Sequence, residues 1–127
     1  MSASFEEIGR AFVKQYYKIF DSDRQQLSSF YCDESMLTFE GKHYHGTTNI
    51  IKQLTNGLSF ETVEHNVDNM YIDCQPSTTN GIFIMVSGNI IANKNSDQPI
   101  KFRQMFHLTS PGKNQWFLTN DVFRLVN

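Results

Sequence analysis

The chain has two cysteines, Cys32 and Cys74, at no framework spacing. That argues against a disulfide scaffold and leaves reduced thiols as the expected state, in a cytosolic or nuclear protein. Basic charge is also scarce. Eleven Lys and Arg stand against thirteen Asp and Glu, for a formal net charge of −2, with no sizeable basic cluster. A surface built for nucleic acid or an anionic membrane is not expected from such a balance. Apolar runs fall far short of a membrane span, and MSASFEEIGR at the start lacks the basic and apolar regions of a secretion signal. Linkers, repeats and low-complexity stretches are missing too. The 127 residues therefore read as one domain, 1–127, large enough to bury a core without covalent staples.

What the chain has in excess is aromatic side chains. Eleven Phe, five Tyr and one Trp exceed the needs of a small core, so some are expected to face a cavity or a partner. Ser4 and Glu7 have the spacing of a capping box, and Phe5, Ile8, Phe12, Tyr16 and Ile19/Phe20 recur every three or four residues. This predicts an amphipathic helix that ends at Asp21-Ser22-Asp23, where a second, shorter helix through 27–31 begins. A short strand over 36–39 follows, then a turn at 40–42 and a partner strand around Tyr44. Gly46-Thr47-Thr48 opens a third helix with Ile50, Ile51 and Leu54 inward, and Asn56-Gly57 stops it.

From Phe60 onward the period becomes two. Val63, His65 and Val67 share one parity, whereas Met70, Ile72 and Cys74 share the other, which predicts a single strand bent by a β-bulge near Asp68-Asn69. A turn over 76–81 leads to three long strands, over 82–92, 100–109 and 115–125, joined by hairpins. Helices first and antiparallel strands afterwards give an α+β domain with helices on the concave face of a bent sheet. Strand 82–92 carries Ile82, Ile84, Val86 and Ile90 on one face but Phe83, Met85 and Ile91 on the other. The outer face also needs cover, which predicts a homodimer.

Several polar residues invite chemistry. In MLTFEGKHYHG, His43 and His45 lie beside Glu40, yet a third strong ligand for a metal is missing, so a solvated hairpin is the simpler reading. His65 points inward, either as a hydrogen-bonded core residue or as a functional one. Asp21 and Asp23 read as helix caps, and Asp121 as a strand-face acid paired with Arg124 or Arg103. Phe5 alone reads as the hydrophobic anchor of its helix. Glu40, an acid after an apolar strand and before a glycine, costs little when merely solvated, which is its simplest reading from the residues alone.

Taken end to end, the segments FEEIGRAFVKQYYKIFDSDRQQLSSFY, MLTFEG, H-G-x-x-x-I-I-x-x-L at 45–54, QMFHL at 104–108 and TNDVFRL at 119–125 resemble the nuclear transport factor 2 family. Its members are carriers that bring the small GTPase Ran, in its GDP form, into the nucleus. The resemblance implies a cone-like fold of three N-terminal helices on a strongly bent, mostly antiparallel sheet, and a homodimer. It also implies binding of Ran-GDP and of FxFG-type repeats of nuclear pore proteins (nucleoporins), without cofactor or catalysis. The expected location is cytoplasm and nucleus, enriched at the pore. The family's Ran site is an apolar cavity with an acidic rim, entered by an aromatic side chain of Ran. Matched residue by residue, Phe39, Leu58, Phe60, Val63, Ile90, Ala92, Ile100, Phe123 and Leu125 become candidates for its lining, and His65 for its rim. Glu40 becomes the acid that meets an arginine of Ran, and Phe5 the exposed aromatic for the pore repeats.

One departure stands out. Where the family carries two acids after the residue matching Ala92, this chain has Asn93 and Asn95 in a longer hairpin over 93–99, with Asp97 the only acid. Asparagine still accepts hydrogen bonds, but the Coulomb attraction at those positions is lost. Two other functions remain open at this stage. One is a small-molecule isomerase or dehydratase of the same cone fold, using Glu40 with His65 or Asp121 with a Tyr. The other is a dimerisation module that binds Phe-rich peptides without Ran. The enzyme would need its carboxylate inside the cavity with a raised pKa.

Overall fold

A computed structural model describes residues 4–78, 80–112 and 115–126; the expected hairpin between 109 and 115 falls partly outside the described residues. The first helix, α1 (Phe5–Ser22), starts as its capping box predicts: Ser4 Oγ accepts from the Glu7 N–H at 3.2 Å. Its apolar stripe buries Phe12, Val13, Tyr16 and Tyr17, at about 1.5–3 kcal/mol per large side chain. Asp23 closes α1 through its own N–H and caps the next element with its carboxylate, as expected. That element is a 3₁₀ stretch, Arg24–Phe30, in place of the expected short α-helix. With Leu27 as its only buried side chain, it lacks the wide apolar stripe that rewards a regular helix.

Next come β1 (Met36–Phe39), β2 (Lys42–His45) and α2 (Thr47–Asn56), the last burying Ile50, Ile51 and Leu54. β1 and β2 meet through a two-residue turn, Glu40-Gly41, because Phe39 pairs with Lys42. Both turn residues have positive φ, 51° and 85°. That is the geometry whose twist matches a hairpin, and it suits Gly41 but not Glu40.

The expected bulged strand is instead two strands, β3 (Val63–His65) and β4 (Tyr71–Pro76), separated by a 3₁₀ turn, Val67–Asn69. Both pair with β5 (Gly81–Ala92), His65 opposite Ile90 and Tyr71 opposite Ser87. Residues 66–70 thus stand against Gly88 and Asn89 alone. This excess is too large for a bulge and odd in number, which is why the apolar parity switches. Gly88 is required there, since a Cβ would lie 2.7 Å from Met70 Cγ.

β6 (Ile100–Gly112) and β7 (Gln115–Val126) complete a seven-stranded sheet of order β2-β1-β7-β6-β5-β3, with β4 also on β5. All pairings are antiparallel except β1 with β7, which is parallel. A register shift between His107 and Leu108 helps the sheet curl. The core lies between α1, the 3₁₀ stretch, α2 and the concave face, centred on Tyr16, Phe102, Phe106, Ile84 and Leu108. No helix among the described residues is long and apolar enough to cross a membrane. Cys32 and Cys74 are unpaired.

Candidate functional site

At one end of the concave face a small apolar cavity opens between α1, β1, the 57–62 connection, β3, β5 and β7. Phe20, Phe39, Leu58, Phe60, Val63, His65, Ile90 and Phe123 line it. The strands supply a fixed wall: Phe39 stacks on Phe123 at 4.7 Å, and Phe123 on Phe102 at 5.8 Å. Leu58 and Phe60 form the opposite wall from a connection without regular structure. The free space is about 20 Å³, enough for one water and far less than an aromatic ring. A ring that enters must therefore displace lining side chains.

Of the sequence-predicted lining, Phe39, Leu58, Phe60, Val63, His65, Ile90 and Phe123 come together here. Ala92, Asn93, Asn95 and Ile100 instead border a neighbouring open depression with Gln98, Pro99, Lys101 and Val126. Leu125 is half-buried and gives its backbone N–H to the Glu40 carboxylate. Glu40 is exposed, its own N–H donating to the Phe123 carbonyl at 3.1 Å. A non-glycine residue in the left-handed region is held there only when its surroundings insist, and such outliers gather at binding sites. The sequence did not indicate Phe20, whose spacing reads as core.

His65 is fixed by an acid that the sequence reading assigned elsewhere. Asp21 does not cap a helix. Its Oδ2 accepts from the His65 N–H at 2.7 Å, and its Oδ1 lies 2.6 Å from His65 Nδ1. A carboxylate only accepts, so Nδ1 carries the proton. The ring stacks on Tyr17 at 4.1 Å and meets Phe20 and Phe102 edge-on. Asn93 is likewise occupied, for its Oδ1 accepts from the Glu61 N–H at 2.9 Å. Phe5 is 39% exposed at the start of α1. His43 and His45 are exposed, His43 bonded to Thr38, and the described residues hold no cluster able to bind a metal ion.

Asp121 corrects a second expectation. It does not pair with Arg124 or Arg103, since it is 1% exposed and faces inward with Phe123. Its Oδ2 accepts from Tyr31 at 2.7 Å and Tyr16 at 3.4 Å, and its Oδ1 from Gln104 Nε2 at 2.8 Å. Tyr17 completes the network by donating to Gln104 at 2.7 Å. Burial pushes the Asp121 carboxyl up to about 6, although its three hydrogen-bond donors pull the other way. This is a polar knot inside the core, and none of its members lines the cavity.

A broader depression between β2 and α2, bordered by His43, His45, Asn49, Lys52 and Gln53, holds about 490 Å³ but is open and polar. The apolar cavity is smaller, but unlike that depression it joins convergent aromatic rings to an adjacent strained acid.

The family model for the nuclear transport factor 2 (NTF2) domain matches residues 8–125. Nuclear transport factor 2 of Neurospora crassa is 42% identical over 126 residues, covering 99% of this chain and 98% of that protein. Its counterpart in Saccharomyces cerevisiae is 37% identical, covering 98% and 97%. The solved nuclear transport factor 2 of Cryptosporidium parvum superposes with a TM-score of 0.86 at 36% identity, covering 96% of this chain and 94% of that one.

Proposed function

The chain belongs to the nuclear transport factor 2 family and is a non-enzymatic nuclear transport factor, and from that premise we propose that it carries Ran in its GDP form between cytoplasm and nucleus. The observation that carries the reading is the apolar cavity bordered by Glu40. An aromatic side chain of Ran displaces the side chains of Leu58 and Phe60 and packs against Phe39, Phe123, Val63 and Ile90. Its burial contributes on the order of 2–3 kcal/mol. Glu40, already turned outward by its positive φ, meets an arginine beside that ring. His65, its orientation set by Asp21, presents the one polar edge in the lining.

Two further parts complete the proposal. Phe83, Met85, Val122 and Met36 are 44%, 56%, 38% and 41% exposed on the convex face, where Met85, Met105 and Val122 are cross-strand neighbours. A second copy of the chain covers this stripe. Phe5 binds the Phe rings of FxFG repeats, weakly and reversibly, which suits passage through the pore and concentrates the carrier there.

Titrating the purified protein with Ran-GDP and Ran-GTP tests the carrier role. Binding selective for the GDP form is expected, and equal or absent binding of both forms overturns it.

A further inference from the structure

The cavity is bordered twice by the same dipeptide. Phe39-Glu40 ends β1 and Phe60-Glu61 lies in the 57–62 connection; in each pair the Phe lines the cavity and the Glu is exposed. Glu61 is anchored on both sides of its backbone. Its N–H donates to Asn93 Oδ1 at 2.9 Å, and its carbonyl accepts from Arg24 Nη2 at 2.8 Å. The same two residues pin the surrounding segment. Arg24 also reaches the carbonyls of Leu54 and Phe60, at 3.4 and 3.5 Å, while lying over the Phe20 ring. Asn93 takes the Thr62 carbonyl with its own N–H at 2.8 Å. The Glu61 carboxylate has no hydrogen bond or ion pair among the described residues, so little backbone freedom is lost when it pairs.

We infer that Glu61 is the second charged contact of the cavity, meeting a lysine or arginine that flanks the entering aromatic ring. It supplies the negative charge that the hairpin lacks at Asn93 and Asn95, while Asn93 holds the segment that carries it. Lys94 shares the depression of Glu61, Ser59, Thr62 and Asn93, but forms no ion pair there among the described residues. Its charge weakens the field without neutralising Glu61. This inference rests on the Ran-binding reading.

The test titrates Ran-GDP into the full-length wild type and the variants Glu61→Gln, Glu61→Lys and Glu64→Gln, at low and moderate salt, with thermal melts of each. Glu64 is the control, being exposed on β3 between the inward Val63 and His65. Glu61→Gln should bind about 5-fold weaker, with a shallower salt dependence, and Glu61→Lys at least about 20-fold weaker. Glu64→Gln should stay within about twofold, and the melting temperatures of all variants should match. An acidic substitution at the basic residue of Ran beside the entering ring should restore binding to Glu61→Lys, which a structural role could not explain. If the wild type binds and Glu61→Lys stays within about twofold of it, Glu61 is no contact and the carrier reading survives. If the wild type does not bind Ran-GDP, the carrier reading falls, and this inference with it.

Discussion

Glu40 lies three residues beyond Leu37, the partner of Asp121 across a parallel strand pair, yet the two acids inhabit opposite environments. β1 and β7 align Phe39 with Phe123 and Leu37 with Asp121. At the open end, Glu40 is solvent-exposed beside an apolar cavity. Deeper on the same concave face, Asp121 is sealed among Tyr16, Tyr31 and Gln104. The acid with the raised pKa is therefore the one that no ligand reaches, and the reachable acid borders rings rather than a reacting group. An enzyme of this fold would need those two properties in one residue. The open end presents its acid to solvent, whereas the closed end keeps its acid sealed.

The sharpest way to break this contrast is to delete the closed-end acid. Asp121→Ala removes the acceptor of Gln104 Nε2 and of the Tyr31 hydroxyl and leaves a small cavity in the core, and chemical denaturation should show a loss of about 2–4 kcal/mol. Ran binding should fall only in step with the folded fraction. At the open end the reverse holds. Glu40→Lys should weaken Ran-GDP at least about 30-fold, while unfolding free energy changes by no more than about 1 kcal/mol, the scale of its bond to Leu125. If that variant unfolds or falls to monomer instead, Glu40 is structural.

Acidity separates the two ends more finely. The folded pKa of Asp121, about 6, lies above the ordinary value of 3.8, so the native state takes up this proton first. Its contribution to stability is full below about pH 4 and is lost as pH rises through 6. From pH 7 to pH 5 this group should add about 1 kcal/mol. Melts of Asp121→Asn should lack that increment relative to wild type, and an unchanged pH profile would place the titration elsewhere. The smallest effect concerns a third region. Phe5→Ala should weaken FxFG-repeat binding about 3- to 5-fold and leave both Ran binding and the melting temperature unchanged, measured by titration and calorimetry. Equal loss of Ran binding would make Phe5 an anchor of the fold.

Much of this was readable in the residues. The capping box at Ser4 and the spacing of Phe12 and Tyr16 located α1, and alternation located the long strands. The parity switch after Val67 shows in the sequence, but its cause is a 3₁₀ turn opposite Gly88, a tertiary fit that no local pattern displays. The inward position of Asp121 is legible too, for it shares the parity of Phe123 and Leu125, not that of Arg124. Asp21 gives no such sign. Its sequence neighbours resemble a cap, and its partner, His65, is 44 residues away. Most of the cavity lining followed from family likeness, whereas the grip of Arg24 and Asn93 on the 57–62 connection depends on long-range geometry.

The parallel pairing of β1 with β7 also governs how this protein is made. The Glu40 carboxylate finds its backbone partner, Leu125, 85 residues later, and Phe39 stacks on Phe123 from the same final strand. On the ribosome the helices and early hairpins emerge long before these partners exist. The cavity mouth is thus the last part of this fold to be assembled. Premature truncation within the last strand yields not a weaker carrier but one with an open seam, in which β1 and the edge of β6 are left bare to aggregate or to be recognised by quality control.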